Sequence, residues 1–137
     1  MNRSTVAQGL LTAWFALVGA GLALPAAAAT PAELLAGYRA AAGAAPAPGN
    51  GQQLFTRSHG REWSCSSCHG VPPVRTGKHA STGKPIAALA PAFNPERFTD
   101  PAKVEKWFRR NCNDVMGREC TAGEKADVLS WLLAVKP

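Results

Sequence analysis

The chain has 137 residues, 46% of them hydrophobic, with 15 Lys and Arg against 9 Asp and Glu for a formal net charge of +6. That length suits one domain with one core. The basic balance comes without an arginine-rich block or interleaved aromatics and cations, which argues against nucleic acid and leaves solubility, or steering toward an acidic partner or an anionic membrane surface.

The first stretch does not read as part of the fold. Met1-Asn2-Arg3 is a short cationic start, Leu10 to Leu24 is apolar, and Ala26-Ala27-Ala28 offers the small residues a signal peptidase needs. Residues 1–28 are therefore expected to be a cleaved secretory signal peptide. A membrane anchor is the alternative, but the apolar run is short for a span of about 20 residues and meets Pro25 at once. Cleavage leaves residues 29–137 as one domain, with 14 cations against 9 anions, and the expected location is the periplasm. All four cysteines lie in this part, in a compartment where thiols without another use become oxidised. Cys112 and Cys120 are candidates for such a pair.

The mature chain opens with Thr30-Pro31-Ala32-Glu33, an N-cap, a proline at the first helical position and a glutamate that can reach back. A helix is expected to about Ala42, with Leu34, Leu35 and Tyr38 inward. Gly43 to Asn50 reads as a hinge, and Gln52 to Phe55 as a second short helix with Leu54 and Phe55 in the core. From Gly70 to Pro91 the many prolines and glycines predict a long loop. Asp100-Pro101 begins another helix, on which Val104, Trp107, Phe108 and Asn111 fall at i, i+3, i+4 and i+7. A loop from Cys112 to Cys120 should follow. Thr121-Ala122-Gly123-Glu124 then caps a last helix with Val128, Leu129, Leu132 and Leu133 as its buried stripe, Trp131 close by.

Between the second and third of these helices stands Cys65-Ser66-Ser67-Cys68-His69. Two thiols three positions apart with a histidine directly after them is the pattern by which haem c is attached through two thioethers, at Cys65 and Cys68, and its iron bound on the proximal side by His69. A thioredoxin-type dithiol would need a β-α-β context, which is absent. A zinc site recruiting Cys112 and Cys120 would leave His69 unused, and the wide second spacing is not that of a zinc knuckle.

The opposite side of the iron is open to several residues. Met116 is the sole methionine once Met1 has left with the signal, and a methionine there would give an ordinary low-spin electron carrier. His59 and His79 sit in polar, glycine-flanked loops, where a solvated imidazole is the commoner state. Asn111 competes because it lies on the Val104/Trp107/Phe108 face, where a carboxamide buried without partners costs roughly 1 to 3 kcal/mol. The plain alternative is that Asn111, near a helix end, caps the backbone.

Several segments go further. Arg97-Phe98-Thr99-Asp100, Val104-Glu105-Lys106-Trp107, Arg110-Asn111-Cys112-Asn113, Gly117-Arg118-Glu119-Cys120-Thr121 and Glu124-Lys125-Ala126-Asp127 resemble the sphaeroides haem protein family of bacterial cytochromes c. Thr30-Pro31-Ala32-Glu33-Leu34, Gly37-Tyr38, Leu54-Phe55 and Leu89-Ala90-Pro91 extend the likeness over nearly the whole mature chain. The resemblance implies an all-α, small class I cytochrome c fold around one covalent haem c, with an extra N-terminal helix. It also implies a Cys112–Cys120 disulfide and Asn111 as a distal ligand that binds ferric iron and lets go on reduction. The ferrous site would then take oxygen, carbon monoxide, nitric oxide or cyanide, with a dihaem cytochrome c and a membrane cytochrome b as redox partners. Met116 is the departure, since that place in the family usually carries an aliphatic residue. The expected function is thus a periplasmic, oxygen-binding electron-transfer cytochrome; the alternatives are a simple His69/Met116 electron carrier and a nitric oxide dioxygenase-type haem enzyme.

Overall fold

The computed structural model describes residues 28–137, so the expected signal peptide lies, apart from Ala28, outside the described residues. Within them the chain forms five helices and one very short ribbon. The all-α architecture expected from the sequence is the one observed.

Helix α1 spans Pro31–Ala42. Thr30 and Glu33 close the capping box that starts it, with the Glu33 amide on Thr30 Oγ1 at 3.2 Å and the Thr30 amide on Glu33 Oε2 at 2.7 Å. Helix α2 spans Pro48–Thr56, four residues earlier than its sequence suggests. Gly49, Asn50 and Gly51 are poor helix formers, yet tertiary packing holds them in register. The Ala47 amide donates to Asp127 Oδ1 at 2.6 Å, and a Cβ on Gly51 would come within 2.1 Å of the Asp127 carbonyl oxygen. Asp127 belongs to α5, Ala122–Ala134, which packs against both α1 and α2.

Two clusters fill the core around α5. Phe55, Val128, Trp131 and Leu132 form one; Tyr38, Ala126 and Leu129 form the other. Trp131 is buried while Leu133 is only half-buried, so the inward stripe of α5 is rotated slightly from the one its leucines predict. Phe98 and Phe108 pack against both clusters.

The predicted loop from Gly70 contains a ribbon, β1 Gly77–Lys78 paired antiparallel with β2 Pro85–Ile86, Gly77 opposite Ile86. Two-residue strands leave no alternation to read. Helix α4 spans Pro101–Met116 and is capped by Asp100, which accepts from the Lys103 amide at 3.0 Å. It runs a turn beyond the expected end at Cys112, because Cys112 and Val115 are both buried and Gly117, at φ 72°, supplies the left-handed stop. No helix among the described residues is long and apolar enough to cross a membrane.

Candidate haem and ligand site

Helix α3, Cys65–His69, is a single turn that could not persist alone. Its start is held by serines. The Ser64 amide donates to Ser67 Oγ at 3.0 Å, and the Ser64 hydroxyl meets those of Ser66 and Ser67 at 2.7 and 3.1 Å. Its end is closed by the Gly70 amide on Ser66 O at 2.9 Å. One turn of helix places Cys65 and Cys68 on the same side of α3, i to i+3, with His69 next to Cys68.

Both thiols are free, whereas Cys112 and Cys120 are joined. That disulfide removes the four-thiolate zinc alternative, since its sulfurs are spent. The thioredoxin alternative fails too, for among the described residues no strand leads into α3. Cys65 packs against the Phe55/Val128/Trp131/Leu132 cluster, and burial pushes its thiol up to about 11. Cys68 Sγ accepts from the Ala80 amide at 3.3 Å. The ribbon presses so closely on α3 that a Cβ on Gly77 would lie 2.1 Å from Cys68 O.

His69 lies with its ring centroid 6.1 Å from that of Phe55. Burial, reinforced by the positive charge of Arg97, lowers it to about 4. The imidazole is therefore neutral near pH 7, the form that binds a metal. The fold brings Arg97, from the loop before α4, close to His69. Its Nε donates to Ala88 O at 2.9 Å and its Nη2 to Ala87 O at 2.6 Å, so it braces the loop near His69. No periodicity marks such a residue, because its partners are carbonyls.

The other histidines have structural work. His59 Nε2 donates to Leu54 O at 2.8 Å, and His79 Nδ1 accepts from the Thr82 amide at 3.3 Å in a turn.

Asn111 and Met116 are both half-buried on α4, but on different sides. Five helical residues separate them by about 140° round the axis. The Met116 sulfur lies 3.6 Å from Cys120 Sγ, on the disulfide. Glu105 and Phe108 face α1 and α5: the Tyr38 hydroxyl and Lys125 Nζ both donate to Glu105, and Phe108 meets Tyr38 edge-on at 5.9 Å. Asn111 is in the helix interior, so the reading of it as an end cap does not hold. Its carboxamide takes part in no hydrogen bond among the described residues. Trp107, expected on the buried face, is 43% exposed.

Comparison with known proteins fits this geometry. Residues 41–132 match a family described as a domain of unknown function, DUF1924. Over 126 residues the chain is 52% identical to cytochrome c-type protein SHP of Cereibacter sphaeroides, covering 88% of this chain and 97% of that protein. The chain belongs to the SHP family of c-type cytochromes. A solved structure of oxidised SHP, described as an oxygen-binding cytochrome c, superposes with a TM-score of 0.74, covering 79% of this chain and 99% of that one. A solution structure of cytochrome c'' from Methylophilus methylotrophus, described in terms of haem-ligand detachment, is 35% identical with a TM-score of 0.68, covering 78% and 94%.

As a member of the SHP family the protein carries covalent haem c, one group for its one Cys-x-x-Cys-His motif. The residues fit it. Two unpaired thiols share one helical side, a neutral, half-buried imidazole follows them, and the remaining cysteines are tied to each other.

Proposed function

We propose that this protein is an exported, periplasmic electron-transfer cytochrome in which Cys65 and Cys68 form the thioethers, His69 is the proximal ligand, and Asn111 is a redox-labile distal ligand. The leader at residues 1–28 is taken as the signal peptide that places it outside the cytoplasm. When bound, haem c supplies a one-electron couple and an iron that takes small diatomic ligands.

What the chain contributes is the lability. A carboxamide is a neutral, hard donor suited to ferric iron and poor for the softer ferrous ion, whereas a thioether would hold both. With haem c bound, the Asn111 carboxamide would hold the distal side in the oxidised protein and release it on reduction, leaving room for oxygen, carbon monoxide, nitric oxide or cyanide. The adjoining backbone is restrained, because Cys112, the next residue, is joined to Cys120. The described oxygen binding of SHP and ligand detachment of cytochrome c'' support the same behaviour. The resemblance also suggests a dihaem cytochrome c and a membrane cytochrome b as redox partners.

The observation that carries this reading is the rotation of α4, which puts Met116 against the disulfide and leaves the Asn111 amide untethered. The test is absorption spectroscopy of the holoprotein, ferric and ferrous, with and without carbon monoxide. Asn111→Ala should abolish the ferric low-spin form while Met116→Ala retains it. A ferric spectrum lost in Met116→Ala and kept in Asn111→Ala would replace this reading with a simple His69/Met116 carrier.

A further inference from the structure

Trp107 is the largest side chain on α4 that the fold leaves without a place in the core. It precedes Asn111 by four residues, which sets it only about 40° from Asn111 round the helix. Phe108 stands about 60° from Asn111 in the other direction and is turned toward Tyr38. Asn111 is thus flanked by two aromatic rings, one committed to the core and one free of it. Trp107 is 43% exposed. The Arg110 guanidinium carbon lies 5.6 Å from the centroid of its ring, a cation–π contact within the same helix turn. The guanidinium stacked on the indole biases its rotamers toward the side of the helix that carries Asn111.

We propose that Trp107 is a specificity-determining wall of the distal site, setting the size of ligand that can take the place Asn111 gives up, with Arg110 fixing the ring. The wall admits linear diatomic ligands and rejects branched ones. Its rigidity matters because an apolar surface discriminates by shape, and shape requires a side chain that cannot step aside. The inference rests on Asn111 as the distal ligand, and its test is chosen to separate the two.

The experiment compares the reduced wild-type holoprotein with Trp107→Phe, Trp107→Ala and Arg110→Gln. Association rates of carbon monoxide and tert-butyl isocyanide are measured by stopped flow. In Trp107→Ala the ratio of isocyanide to carbon monoxide rate should rise by about tenfold or more, the discrimination that one or two carbons give in an apolar site. Trp107→Phe should rise less. Arg110→Gln, which keeps the indole and frees it, should fall between wild type and Trp107→Ala. The indole bands of Trp107 in ultraviolet resonance Raman, assigned by their loss in Trp107→Phe, should shift between the ferric and ferrous protein. An unchanged rate ratio in Trp107→Ala, in a protein whose ferric spectrum responds to Asn111→Ala, overturns the wall and leaves the ligand. A ferric spectrum indifferent to Asn111→Ala overturns both.

Discussion

Along one edge of α4, Glu105, Phe108, Cys112 and Met116 are each tied to α1, to α5 or to the Cys120 turn before α5, by hydrogen bonds, ring contact, a disulfide and a sulfur contact. Along the other edge stand Trp107 and Asn111, which no core cluster includes. The difference is what the proposed role of Asn111 requires, a helix that is rigid and yet leaves one side chain free to move. Backbone position is set by the tied edge, and the Asn111 side chain keeps its freedom on the other. It follows that substitutions on the tied side should move stability first and reach ligand exchange only through the helix backbone, while those on the free edge should act on ligand exchange directly.

The largest expected effect is at the crossing that supports the tied edge. Gly51→Ala would drive a methyl into the Asp127 carbonyl, 2.1 Å away, and the obstacle is backbone, so α2 and α5 must separate. We expect a loss of about 3 kcal/mol in denaturant unfolding, the upper range for overpacking. Gly37→Ala is the control, since an added Cβ on α1 meets nothing within 4 Å. It should gain up to about 1 kcal/mol from helix propensity. Equal effects at the two glycines would show that α2 and α5 are not in close contact.

Next is the disulfide. Replacing Cys112 and Cys120 together by serine opens a loop with a sequence separation of 8. The unfolded chain gains entropy, and stability should fall by roughly 2 to 3 kcal/mol. The same double variant releases the last turn of α4, so the fraction of low-spin ferric protein should fall with it. A stability loss with an unaltered ferric spectrum would mean that Asn111 is positioned by the free edge alone.

How much of this was legible follows the same division. The caps could be read directly: Thr30 with Glu33, Asp100 with Pro101 and Thr121 with Glu124 all start helices where the sequence places them. They are local, and local chemistry decides them. The Cys65-Cys68-His69 triplet was legible for the same reason. What could not be read was set from a distance. Gly49, Asn50 and Gly51 are helical because Asp127, far along the chain, fixes them. The last turn of α4 persists because Cys112 and Val115 are buried, and Gly117 was the one local sign of its true end. That Asn111 and Met116 lie about 140° apart round the helix could not be read until the continuous helix fixed their relative rotation. Trp107 counted as core by spacing, because periodicity finds the face and not its boundary.

The smallest effect concerns the turn that carries Cys120 into α5. Arg118 pairs with both oxygens of Glu124 at 2.6 and 2.8 Å, and the Thr121 amide donates to Glu124 Oε2 at 2.8 Å. The Arg118 hydrogen bonds are the largest influence on Glu124, and its carboxyl is held down at about 2. Because the folded value is depressed, the stabilisation is present above the ordinary glutamate value of 4.5 and is lost as pH falls toward about 2. Arg118 is exposed and Glu124 half-buried, so solvent screens the pair and its contribution is the smallest of the three. Glu124→Gln keeps a residue able to complete the capping box and removes only the charge. Its stability deficit against wild type, measured by denaturant unfolding, should be present at neutral pH, shrink through that acid window and vanish at its lower end. A deficit that stays constant with pH would assign Glu124 to the cap alone, and the tied edge of α4 would then depend on the disulfide and Glu105 without electrostatic help from this turn.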